Sequence, residues 1–262
     1  MLNVSLWIVA MASLWMSFSF VTKKGREVLV SGLNITIHNN EENQFISENN
    51  VREFLDQRGD KLVSEKFSNI SIPTIEKVLN SHPAIENAEV AANVNGEMMI
   101  NVKQRTPVCR IINLDGESYY IDTQSKLMPL NENFTARVLV VNGNITEPYS
   151  RRYQYSIDQI KKNETFSEVS LLDDVLDIVK YINNDPTLSS LIHQIYVNEE
   201  KEFELFPAVG EQRILLGNSS DLETKFTKLK LFYTQGLNKA DAWQKYSTIS
   251  IKYKNLVICT KK

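Results

Sequence analysis

Glycine is scarce in this chain, nine residues in 262. A backbone cradle for phosphates needs several glycines at fixed spacing, so a glycine-rich nucleotide site is excluded. Cysteine occurs only at Cys109 and Cys259, too few for a disulfide framework or a cysteine metal site. They read as free thiols, buried or half-buried, the alternative being a single long-range disulfide. His38, His82 and His193 lie far apart and in no ligand spacing. No run of five Lys or Arg occurs, and the net charge of −3 gives no footprint for nucleic acid. There is no G-x-S-x-G, no Cys/His pair in a known spacing, no low-complexity tract and no internal repeat. These absences leave no reaction, no cofactor and no small-molecule substrate to read.

What is present begins with one apolar run. From Leu2 to Thr22 no residue is charged, and Leu6, Trp7, Ile8, Val9, Leu14, Trp15, Met16, Phe18, Phe20 and Val21 cover every face of a helix. About 20 such residues cross a bilayer, so residues 4–22 are expected to form a transmembrane helix, with residues 1–3 as a short cytoplasmic end. A cleavable signal peptide would need a basic start and a small-residue cleavage site, and both are missing. Lys23, Lys24 and Arg26 follow the run and by the positive-inside rule favour a cytoplasmic C-terminal side. Large domains translocate largely regardless of charge, so this bias does not fix the orientation.

Val28 to Ile37 reads as a strand. Ser47 caps a helix carrying Val51, Phe54 and Leu55 that stops at Gly59. A second helix follows Ser71, with Pro73 in its first turn and Ile75, Val78 and Leu79 on one face, and ends at Pro83. Two alternating runs, Ala88 to Val94 and Met98 to Val102, flank the hairpin turn Asn95-Gly96. This β-α-α-β-β order makes a complete small domain over 28–106, two helices on a three-stranded sheet. Beyond Arg105-Thr106-Pro107 the pattern is strand-rich, with hairpin turns such as Asp115-Gly116 and an amphipathic helix from Leu171 to Ile182. Residues 142–166 read as a loop plus a short helix. Ser220-Asp221-Leu222-Glu223 reads as a capping box for a helix with Lys225, Lys228 and Lys230 outward and a stop at Gly236. Ile249, Ile251 and Tyr253 then alternate. The fold class is α+β: the membrane helix, the small domain, and a mostly antiparallel β domain over 107–260 with helices packed on its sheet.

Three blocks carry a family resemblance. Pro73-Thr74-Ile75-Glu76-Lys77-Val78-Leu79, His82-Pro83-Ala84-Ile85 and Ala88-Glu89-Val90 resemble a POTRA segment. Ile100-Asn101-Val102-Lys103-Gln104-Arg105-Thr106-Pro107-Val108 is similar to the POTRA exit of the FtsQ/DivIB cell-division family, with Gln104 where Glu is usual. Tyr120-Ile121-Asp122 with Lys126-Leu127-Met128-Pro129-Leu130, and the ending Trp243 to Val257, resemble that family's β domain. The resemblance implies a single-pass inner-membrane protein, N-terminus cytoplasmic and C-terminal domains periplasmic, enriched at the septum. Its work would be non-enzymatic: a divisome scaffold binding FtsB (DivIC) and FtsL and linking them to septal peptidoglycan synthesis. Other division proteins would be met through the POTRA domain and the membrane helix. Alternatives are a POTRA component of an outer-membrane insertion or secretion system and a membrane-anchored envelope hydrolase.

The last segment is the candidate partner site. A final strand often lies at a sheet edge, where unpaired main-chain groups can accept a partner strand. Tyr246, Thr248, Ser250 and Lys252 share one face, expected polar and open; Ile249, Ile251 and Tyr253 share the other. With Asn255 and Val257 they outline the expected edge, and the resemblance implies FtsB addition there, with Ser250, Lys252 and Tyr253 matching the family's final strand. A second, POTRA surface is expected at Met98, Ile100 and Val102. Asp173, Asp174 and Asp177 form the solvated side of their helix rather than a catalytic cluster. The N-x-S/T triplets at Asn34, Asn69, Asn133, Asn144, Asn163 and Asn218 read as chance matches in an Asn-rich chain, the alternative being glycosylation sites of a secreted protein.

Overall fold

The computed structural model describes residues 28–38, 44–58, 62–93, 95–132, 134–149, 156–157, 159, 170–237 and 243–262, together with Met11. The expected span 4–22, apart from Met11, the helix stop at Gly59 and most of the loop 142–166 lie outside them. Among the described residues no helix is long and apolar enough to cross a membrane. The chain divides into two compact units between Arg105 and Thr106.

In the first unit, β1 (Gly32–His38), β2 (Ile85–Ala92) and β3 (Glu97–Gln104) form a sheet in the order β1-β3-β2. Strand β3 runs parallel to β1 and antiparallel to β2. Helices α1 (Glu48–Gln57) and α2 (Ile72–Asn80) supply Val51, Leu55, Ile75 and Leu79 to its core. Ser47 caps α1: its hydroxyl accepts from Asn50 N–H, and the Asn50 side chain accepts in return from Ser47 N–H. Gly96 makes the β2–β3 turn with φ +90°, and a Cβ there would sit 2.8 Å from Leu29 O. The expected POTRA surface is corrected here. Strand β3 alternates without a break, and Met98, Ile100 and Val102 are its fully buried half. They face the core, on a central strand, so no partner reaches them; Met99, Asn101 and Lys103 are the outward residues.

The second unit holds a nine-stranded open sheet. Its strands are β4 (Pro107–Ile112), β5 (Ser118–Asp122), β6 (Leu127–Pro129), β7 (Leu139–Gly143), β8 (Ile192–Val197), β9 (Phe203–Pro207), β10 (Arg213–Gly217), β11 (Tyr246–Ser250) and β12 (Ile258–Lys261). The order is β12-β11-β10-β9-β8-β7-β4-β5-β6. The sheet is more mixed than expected: the pairs β4–β7, β7–β8 and β10–β11 are parallel. A helix bridges each of the last two, because parallel neighbours need a long crossover. Helix α3 (Leu172–Asn183) fills the first crossover and buries Leu172, Val175, Leu176, Ile178, Val179 and Ile182 against the sheet. Each such side chain contributes about 1.5–3 kcal/mol. The short helix α4 (Pro186–Leu191) follows, capped by Asp185, whose carboxylate accepts from Thr187 and Leu188 N–H.

Helix α5 (Leu222–Leu231), prolonged by a π turn to Leu237, fills the second crossover. It departs from expectation twice. Its N-cap residue Asp221 has φ +52° and makes no side-chain cap bond, and the Ser220 hydroxyl lies 2.7 Å from Asn218 Oδ1, so no capping box forms. Lys225, expected outward, is only 5% exposed. Its Nζ donates to Asn218 O and Oδ1 at 2.8 Å, and burial lowers its pKa.

Candidate partner-binding site

Strand β11 is not the edge. It lies between β10, to which it is parallel, and β12, to which it is antiparallel. The expected open ladder from Tyr246 to Ser250 is therefore already covered by the chain's own last strand. The reason is a hairpin: Tyr253 to Asn255 turn the chain back, and the apolar run Leu256–Cys259 supplies the returning strand. The polar face is corrected too. Ser250 is buried at 7% exposure, and Tyr246 packs toward Phe232 at 6.3 Å between ring centroids. Thr248 is half-buried. Ile249 and Ile251 are fully buried as expected, whereas Tyr253 is 54% exposed.

The open edge is one strand further out. Ile251 N–H bonds Leu215 O on β10. Backbone groups alternate sides along a strand, so those of Thr248 and Ser250 point the other way, to facing residues Thr260 and Ile258. The bond from Lys262 N–H to Lys245 O keeps the same phase. Cys259, lying between the inward residues Ile258 and Thr260, consequently turns its N–H and C=O groups outward, and Lys261 turns its N–H the same way. Among the described residues no strand or helix pairs with that row. The Ser247 hydroxyl donates to Thr260 and Lys261 carbonyls from the β11 side.

The hairpin end is held in place. Lys228 on α5 donates to the carbonyls of Ile251 and Tyr253, and Lys252 pairs with Glu202. Asn255 is exposed and Val257 half-buried. Thus the structure gathers Lys252, Tyr253, Asn255 and Val257 at the hairpin beside the edge, while Tyr246, Thr248 and Ser250 lie inside it. Cys259, Lys261 and Lys228 were missed by sequence reasoning. The signal available for Cys259 was its place in a second apolar run directly after the turn; nothing local marks Lys228 as a carbonyl clamp. Both thiols are free. Burial pushes Cys109 up to about 12 and raises Cys259 as well, which makes both poor nucleophiles.

The other face of the sheet carries an open cleft of about 470 Å³, lined by Glu200, Glu202, Glu204 and Lys252 among others. Glu202 is bound to Lys252, and Glu204 lies 3.1 Å from Arg213, so these carboxylates are held by cations. No group of three metal-ligating side chains is placed to hold an ion among the described residues.

A family model described as FtsQ/DivIB, C-terminal related, matches residues 106–260, more than half of the chain. The chain belongs to the FtsQ/DivIB family. A model described as POTRA-like domain matches residues 29–103. No curated protein sequence matches the chain at a significant level. FtsQ/DivIB membership assigns a role connected with cell division, in a family whose two domains are generally non-enzymatic scaffolds.

Proposed function

We propose that the chain is a non-enzymatic, single-pass scaffold of the divisome. Its open β12 edge receives a strand from FtsB (DivIC), itself paired with FtsL, and so links them to septal peptidoglycan synthesis. The observation that carries this reading is the outward N–H and C=O of Cys259, with the N–H of Lys261 beside them, on an outermost strand. Main-chain bonds of that kind give affinity, and neighbouring side chains give selectivity. The charge-free run from Leu2 to Thr22 supports a membrane anchor, with the following domains on the periplasmic side. Confinement to one membrane raises the effective concentration of the partners, so each contact can be modest. Other division proteins would meet the POTRA domain on outward residues such as Met99, Asn101 and Lys103.

An outer-membrane insertion component is less well supported, because the nine-stranded sheet is open and carries helices on one face. The test uses two substitutions in the full chain. Cys259→Pro removes an outward donor at an edge position where proline is tolerated; Cys259→Val keeps the donor and the packing. Co-purification with the FtsB–FtsL pair should fall at least tenfold for Cys259→Pro and be unchanged for Cys259→Val. Equal capture by both would remove the strand-addition site.

A further inference from the structure

The last twenty residues, Trp243 to Lys262, contain five lysines and no acidic residue. The whole chain carries −3, so without these five lysines it carries −8. Their placement around β12 is not uniform. Lys245 and Lys261 lie at one end of the strand, where Lys262 N–H bonds Lys245 O. Lys252 and Lys254 lie at the other, in the hairpin. Between them Ile258, Cys259 and Thr260 carry no charge, and Ile258 is 48% exposed.

Two of the five have partners: Lys252 is bound to Glu202 and Lys262 to Glu211. Lys245, Lys254 and Lys261 are exposed, and no carboxylate lies within ion-pair distance of them among the described residues. Charged side chains on an edge strand, lysine above all, are one way to repel a second strand. Here the middle is uncharged and the cations stand at both ends. That arrangement keeps positive charge at the two ends of the ladder and none in its middle.

We propose that β12 selects an acidic strand: an extended segment with an uncharged, β-branched or apolar centre and carboxylates at both ends. This deepens the strand-addition reading above and rests on it. Strand β12 has four residues, about 13 Å at the rise of a β-strand. The two carboxylate groups should accordingly stand about five or six residues apart. Ile258 and Thr260 would face alternate side chains of the incoming strand on one side of the sheet, and Cys259 on the other. Exposed ion pairs of this kind add selectivity and speed of encounter more than affinity, and salt screens them.

The test uses the full-length chain in zwitterionic nanodiscs and three synthetic ten-residue peptides. All share a Val/Thr/Ile centre and carry Glu, Gln or Lys at both ends. Fluorescence anisotropy should show the Glu peptide binding about five- to tenfold more tightly than the Gln peptide at 0.05 M salt, with the gap closing by 0.5 M, about a tenfold rise in ionic strength. The Lys peptide should bind most weakly. The triple variant Lys245→Glu/Lys254→Glu/Lys261→Glu should invert the order of the Glu and Lys peptides. Equal binding of the Glu and Gln peptides, abolished in both by Cys259→Pro, would overturn the charge selection and leave strand addition standing. Full binding of the Glu peptide to Cys259→Pro would overturn strand addition and this proposal with it. If the triple variant changes binding only in nanodiscs containing phosphatidylglycerol and never toward the peptides, a lipid surface takes these lysines and the proposal falls.

Discussion

The outermost strands β2 and β12 treat the same liability in opposite ways. Strand β2 has eight residues, and two of its outward donors are occupied by side chains of helix α2. Val90 N–H donates to Glu76 Oε1 at 3.0 Å and Ala88 N–H to Asn80 Oδ1 at 2.9 Å. Glu76 and Asn80 stand four apart on α2, the spacing that puts both on one helical face. Strand β12 has half that length and no such cover among the described residues. A long open edge invites uncontrolled pairing, whereas a short edge can be left available at small risk. On the proposed reading, the short edge left open is the one that a partner strand would enter.

The largest effect should come from the strand that is no edge at all. Val102→Asp places a carboxylate among the apolar side chains of the first unit's core and should cost more than about 4 kcal/mol. Chemical denaturation should find that unit unfolded. A folded variant with altered partner capture would restore the abandoned surface. Next, Glu76→Ala with Asn80→Ala uncovers β2. Each buried donor left without a partner costs about 1–3 kcal/mol, and the variant should self-associate in sedimentation. If it stays monomeric and as stable as wild type, the contrast between the two edges is empty. A smaller effect is expected for Lys228→Met, which releases the carbonyls of Ile251 and Tyr253. Capture of the FtsB–FtsL pair should weaken several-fold with little change in thermal midpoint; unaltered capture would mean that the hairpin needs no clamp.

The smallest effect is a pH dependence confined to the first unit. His82 packs edge-on against Phe54 at 4.8 Å, its Nδ1 accepts from Ala84 N–H, and burial holds its pKa below the ordinary 6.5. On acidification the unfolded chain takes up this proton first. Stability should therefore be full above about pH 6.5, decline below it, and level off once the folded-state value is passed. Denaturation at pH 7.5 and 5.5 should show the decline, and His82→Gln should flatten it. An identical slope in the variant would assign it to another group.

Periodic burial was legible in the residues. The alternation Met98, Ile100, Val102 announced a strand, and the stripe Leu172, Val175, Leu176, Val179, Ile182 announced a helix, because both periods follow from local geometry. The same alternation did not say which face of β3 a partner could reach. Helix α4 was overlooked although Asp185-Pro186 is an N-cap followed by proline at the first helical position. Lys225 reads as a solvated lysine in its helix; only the turn at Asn218, folded back over it, makes it a buried one.

The residues by themselves determined the two-unit order, the stripe of the helix at 172–182, several hairpins and the family blocks, since each depends on neighbours a few positions apart. Only the tertiary structure decided which strand stands outermost. Pairing joins segments far apart in the chain, Cys109 beside Leu139 and Arg213 beside Thr248, and their free energy depends on the whole sheet. The same holds for the Glu147 carboxylate that accepts from Leu171 N–H at the start of α3, 24 residues away. A strand's sequence records that it pairs; how many neighbours it has is a property of the assembled sheet.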